Sequence, residues 1–235
     1  MEIEIMLNKK WKKFDQLTGK CYLNMIGAEK DGSCWGQAFE LMKEIILEER
    51  KSNPEFAYEL ELIDEITDYA FDIQGWLEDC LDEIDMKEDY EALLKMCNDL
   101  LDLFGWPEYT GSDIKFRKAT VLRDLGRTKE AVEFCKEWMQ KEPENIVAAT
   151  AGVYAFIGVK EYNDAEKIVD KFIADKMTCL EENEIMFIAA SRLYEATRKM
   201  KEKKEIDKAI EKYAEYVEDY FMNYDCEEDE ELPFD

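Results

Sequence analysis

The chain has 235 residues and not one histidine. That absence removes the Ser-His-Asp triad, the Cys-His nucleophile pair and every histidine metal ligand at once. Proline is scarce, at 4, and glycine reaches only 10, too few turn formers for the many tight connections of a sandwich or barrel. Basic residues are in short supply: 31 Lys and Arg against 57 Asp and Glu leave a formal charge of −26. Such a surface repels phosphate, which argues against nucleic acid as a partner and against an anionic membrane face. The longest near-apolar run, IVAATAGVYAFIGV at 146–159, falls short of the roughly 20 residues of a membrane span, so a buried helix is expected there. No Gly-rich phosphate loop and no calcium-loop spacing occurs. No metal site and no cofactor is expected.

What is present points to a helical protein with a substantial core. Hydrophobic residues make up 46% and aromatics 12%, well above a disordered composition. The cysteines number 7; their odd count, and spacings without a disulfide framework or zinc knuckle, suit a reducing cytosol. The start, with Glu2 and Glu4 and no apolar core, does not resemble a signal peptide. A cytoplasmic location is therefore expected.

The helical period dominates from Ser33 onward. Trp35, Ala38, Phe39, Met42, Ile45 and Ile46 recur at steps of 3 and 4, one apolar stripe. Asn53-Pro54 reads as an N-cap with proline at the first helical position, and the stripes through 56–73 predict a helix packed on two sides. Tyr90, Leu93, Leu94, Cys97, Leu100, Leu101 and Phe104 form a further stripe, closed by Gly105-Trp106-Pro107, a stop signal. About ten helices are expected. Residues 1–32 read as a short helix or strand followed by loop, and 223–235 as an acidic tail.

Two segments, LGRTKEAVEFCKEWMQKEP (125–143) and GVKEYNDAEKIVDKFIADK (158–176), align on Ala131 and Ala165, 34 residues apart. They resemble the second helix of a tetratricopeptide repeat. Gly126 stands at the family's inter-helix turn, Ala131 and Ala165 at its small helix-crossing position, Trp138 and Phe172 at the next packing position, and Pro143 at the closing proline. The resemblance implies an all-α α-solenoid of stacked antiparallel hairpins over 33–222, clearest at 112–177. It departs from the family where Lys115 and Ala149 replace the helix-A tryptophan, and where Lys118 and Gly152 replace the leucine three positions later. It also implies a concave groove lined by the first helix of each hairpin, which here assigns Phe116, Thr120, Arg123, Thr150, Tyr154 and Ile157 to peptide binding. The basic and amide side chains with which some members clamp a C-terminal carboxylate are largely missing from these positions.

The acids are unevenly spread. Residues 31–110 hold 23 acidic and 5 basic residues, a net −18. Adjacent like charges on a helix are destabilising, so this half is either a solvated face or a surface shaped for a basic partner. Carboxylate pairs such as Glu78 and Asp82 could in principle run acid–base chemistry, although a solvated helix surface explains them as well. The leading expectation is a non-catalytic scaffold that binds a protein or peptide, a basic one if the acidic half takes part. The alternatives are a self-assembling module that pairs through the last-helix aromatics Tyr213, Tyr216, Tyr220 and Phe221, and a carboxylate enzyme.

Overall fold

The computed structural model describes residues 9–224; nearly all of the acidic tail expected at 223–235 lies outside the described residues. Among the described residues there are eleven α-helices and no strand. They are α1 (Lys9–Met25), α2 (Ser33–Glu49), α3 (Leu62–Ile66), α4 (Ile73–Met86), α5 (Tyr90–Leu103), α6 (Ser112–Asp124), α7 (Thr128–Lys141), α8 (Ile146–Gly158), α9 (Tyr162–Phe172), α10 (Glu184–Ala196) and α11 (Met200–Tyr224). The chain divides into two compact units, Met1–Val121 and Leu122–Asp235, with the division inside α6.

In the first unit α1 packs on α2, and α4 packs on α2, α3 and α5. Within residues 1–32, expected as a short helix or strand followed by loop, Lys9–Met25 form a 17-residue helix. The reason is a stripe at helical spacing: Trp11, Phe14, Leu17 and Cys21 are all buried. Phe14 meets the Trp76 ring edge-on at 5.1 Å between centroids, Trp11 stacks on Phe71 at 5.5 Å, and Trp35 stacks on Trp76 at 6.4 Å. Burying such rings contributes roughly 1.5–3 kcal/mol apiece, with more from the edge-on and offset geometry.

The helix expected from Pro54 to Ile73 is not there. Residues 51–72 turn irregularly around the five-residue α3. Ala57, Asp68 and Tyr69 sit at positive φ (45°, 53° and 54°), a region that interrupts a right-handed helix. Tertiary hydrogen bonds override the local period. Asp64, 5% exposed, accepts from the backbone N–H of Ile73 at 2.8 Å and from Gln74 Nε2 at 3.0 Å. The carboxylate thereby caps α4, whose first N–H groups have no partner within the helix.

In the second unit successive helices pack on their neighbours: α7 on α8, α8 on α9, α10 on both α8 and α9, and α11 on α10. Ala131 and Ala165 are both fully buried, as close helix crossing requires. Asn145 caps α8, accepting from Val147 N at 2.9 Å and Ala148 N at 3.3 Å. The all-apolar run 146–159 is the buried α8, and no helix among the described residues is long and apolar enough to cross a membrane. Gly152 lies where α7 and α9 both press on α8: a Cβ there would come within 2.8 Å of the Met139 thioether and 3.4 Å of Ile168 Cδ1. Placing the family's leucine at this position, Gly152→Leu, should destabilise the chain by about 1–3 kcal/mol through overpacking. A urea denaturation series against the parent protein measures this, and equal midpoints would show that α8 has room to spare.

Candidate functional site

A cleft of about 440 Å³ opens in the first unit. Four stretches of chain build it: the irregular 59–61 segment, α4, the residues after α5, and α6. Its floor is apolar, with Leu60, Leu77, Leu81, Trp106 and Ile114. Its rim is acidic, with Glu59, Glu61, Glu78, Asp82 and Asp113, and holds one base, Arg117. Arg117 is engaged by Asp82 at 2.7 Å and Asp85 at 3.5 Å. The carboxylates of Glu59, Glu61, Glu78 and Asp113 have no basic partner among the described residues. Most neighbouring bases are occupied: Lys43 pairs with Glu40 and Asp99, Lys95 with the same two acids, and Lys87 with Glu83.

The 59–61 wall is held in place by Arg50. Its guanidinium donates to three backbone carbonyls: Nε to Phe56 at 2.9 Å, Nη1 to Leu103 at 2.5 Å and Nη2 to Ala57 at 2.5 Å. The Leu103 carbonyl ends α5 and lacks an intrahelical partner, and a cation suits that negative helix end. The planar fork can reach all three oxygens at once, which an ammonium cannot. Beside it, Gly105 N donates to Tyr58 O at 2.7 Å, and the two strands of chain lie so close that a Cβ on Gly105 would stand 2.4 Å from the Tyr58 ring. Trp106, in the cleft wall, has its indole Nε1 buried without a hydrogen-bond partner.

The six groove residues expected from the repeat pattern fall in both units. Phe116 and Thr120 are half-buried on the α6 portion of the first unit. In the second unit Arg123, Tyr154 and Ile157 come together in a shallow depression of about 590 Å³ that also holds Arg192 and Glu195. The Arg123 guanidinium lies over the Tyr154 ring at 5.2 Å. Burial pushes the Tyr154 phenol up, against the opposing pull of Arg123 and Arg192, so it remains a neutral hydrogen-bonding group. Thr150 is 1% exposed and its hydroxyl donates to Ile146 O at 2.8 Å; it serves α8 packing and is not offered to a ligand. Nothing in the sequence pointed to the acidic cleft as a unit, because its walls come from segments up to 58 positions apart (59 to 117).

Four of the described thiols are poorly placed for chemistry. Burial pushes the Cys80 and Cys135 thiols up to about 12, and Cys97 and Cys179 up to about 11, so they stay protonated and weakly nucleophilic at neutral pH. Among the described residues no group of three or more cysteine or carboxylate side chains is arranged to hold a metal ion. No protein-family model, no curated protein and no solved structure matches the chain.

Because Arg50 satisfies three carbonyls, its truncation exposes the connection between cleft and core. Arg50→Ala should cost about 2–3 kcal/mol in urea unfolding, the usual range for orphaned buried acceptors. Arg50→Lys, which keeps the charge and loses the fork, should recover less than half of that. Full recovery by lysine would mean that charge alone, and not the geometry of the fork, holds the 56–58 segment.

Proposed function

We propose that the chain is a non-catalytic binding module of tetratricopeptide-like helical hairpins, and that its acidic cleft takes an extended peptide segment carrying basic and apolar side chains from a protein partner. The observation that carries the reading is the cleft's division into an apolar floor and a rim with four carboxylates lacking basic partners. Apolar side chains on a ligand would displace water from Leu60 and Trp106, the half-buried members of the floor, at roughly 25 cal/mol for each Å² buried. Lysine or arginine on the same ligand would meet the rim, fixing register and speeding encounter. The hairpin assignment is supported by the 34-residue spacing of two buried alanines and by neighbour-to-neighbour packing from α7 to α11, the pattern of quasi-one-dimensional stacks.

A ten-residue peptide alternating lysine and leucine, and its glutamate–leucine counterpart, test this by calorimetry with the full chain. The lysine peptide should bind and the glutamate peptide should not. Reversal of two rim charges, Glu59→Lys/Glu78→Lys, should weaken binding by about tenfold or more, roughly 1.4 kcal/mol. The same two-charge reversal at Glu88 and Glu91, exposed positions of the first unit away from the cleft, should have a much smaller effect, reflecting only the general field. Equal losses from both variants would reduce the interaction to non-specific attraction to an acidic protein and sink the cleft as its site.

A further inference from the structure

Three thiols of the first unit, Cys21, Cys34 and Cys80, come from α1, α2 and α4, and all are buried. Two of them stand at the mouth of one hairpin. Cys21 lies near the end of α1 and Cys34 is the second residue of α2. Between them the chain reverses through an exposed turn in which Gly27 takes a φ of 76°, and α1 packs on α2. Two contacts fix this end of the hairpin. The Tyr22 ring meets Trp35 edge-on at 6.4 Å, and Trp35 Nε1 donates to Asn24 Oδ1 at 3.0 Å. Both join the residue after Cys34 to the stretch just after Cys21. The Cys21 thiol, 0% exposed, has Cys34, Trp76 and Cys80 as its neighbours. In helices packed about 8–10 Å apart, with Cα atoms about 2.3 Å from each axis, facing positions come within the roughly 6.8 Å that a disulfide spans between Cα atoms.

We propose that Cys21 and Cys34 are an oxidisable pair, and that exchange with a low-molecular-weight disulfide joins them into a cystine that staples α1 to α2. The reaction runs in two exchanges. Cys34, as thiolate, attacks one sulfur of the small disulfide, forming a mixed disulfide and releasing one small thiol. Cys21, as thiolate, then attacks the Cys34 sulfur and displaces the second small thiol. Two protein thiols are oxidised, one small disulfide is reduced to two thiols, and the two protons lost by the protein end on those thiols. Cys34 is placed to react first. Its Sγ donates to the Asp31 carbonyl at 3.4 Å, within the exposed turn, so local opening of that turn uncovers it. Burial, and after it the Cys34 thiol, push the Cys21 thiol up against the opposing pull of Trp76, which makes the second exchange the slow one. Cys80 is engaged elsewhere, its Sγ donating to the Trp35 carbonyl at 3.9 Å. The staple closes the short loop 21–34 and restricts the unfolded chain. It thereby fixes the helix that sets Trp11 on Phe71 and Phe14 on Trp76.

Incubation of the full chain with oxidised glutathione tests the proposal, followed by alkylation of the remaining thiols in urea and a tryptic map without reduction. Cleavage after Lys20, Lys30 and Lys43 puts the two cysteines on separate peptides. The expected result is a disulfide-linked pair of the peptides 21–30 and 31–43. The thermal midpoint should rise by about 5–10 °C, and dithiothreitol should reverse both effects. Cys80→Ala should keep the linked pair, whereas Cys21→Ala should stop at glutathione on Cys34. The map of the parent chain decides the pairing by itself, whatever a variant does to folding. Glutathione remaining on Cys34 of the parent, a link from Cys34 to Cys80, or alkylation of both Cys21 and Cys34 overturns the pair. A linked pair with an unmoved midpoint overturns the staple.

Discussion

The first unit depends on one buried-facing cation. Residues 51–61 have no regular structure of their own, and a chain segment in that state leaves its carbonyls without partners. Arg50 takes two of them, from Phe56 and Ala57, together with the last carbonyl of α5, and its guanidinium also lies 5.8 Å from the Phe104 ring. Burial disfavours its charge and lowers its pKa, yet an arginine remains protonated. The cation thus converts a loop into a fixed wall. The other side of the same wall is held by the Asp64 carboxylate, which caps α4. A cation and an anion, each matched to backbone groups, set the two edges of the cleft, and neither depends on the other's charge.

Acidic surplus shapes the rest of that unit. Most of the bases neutralise acids away from the cleft, whereas Arg117 on its rim pairs with Asp82 and Asp85. Lys43 and Lys95 bridge Glu40 and Asp99 between α2 and α5, and hydrogen bonds from Lys95, and then Lys43, hold the Glu40 carboxyl below its usual range despite the opposing effect of burial. Such exposed pairs stabilise by only about 0.2–1 kcal/mol each. They leave many carboxylates over, and four of these, Glu59, Glu61, Glu78 and Asp113, stand around an apolar floor.

Where the sequence determines structure through local period, it could be read directly. The stripe from Tyr90 to Leu100 is α5, stopping before Gly105-Trp106-Pro107, and Ala131 and Ala165 are buried at their 34-residue spacing. Where tertiary hydrogen bonds outweigh the period, it misled: 56–73 carries helical stripes, but Arg50 and Asp64 draw its backbone out of helix. The expected groove residues differ in their surroundings. Arg123, Tyr154 and Ile157 meet because they share the second unit's α6–α8 surface, whereas Thr150 turns its hydroxyl onto its own helix. The acidic cleft carried no linear signal beyond excess charge, because its floor and rim alternate among four distant segments.

The central claim is that basic, apolar peptide chemistry is recognised in the first unit's cleft. Hydrogen exchange of the full chain, alone and saturated with the lysine–leucine peptide, tests it most directly, since slowed exchange reports where backbone becomes protected. The account predicts new protection in 59–61, 74–82 and 105–117, the stretches that wall the cleft. Protection confined instead to the stretches around Arg123 and Tyr154, or spread evenly over the acidic helices, would contradict it.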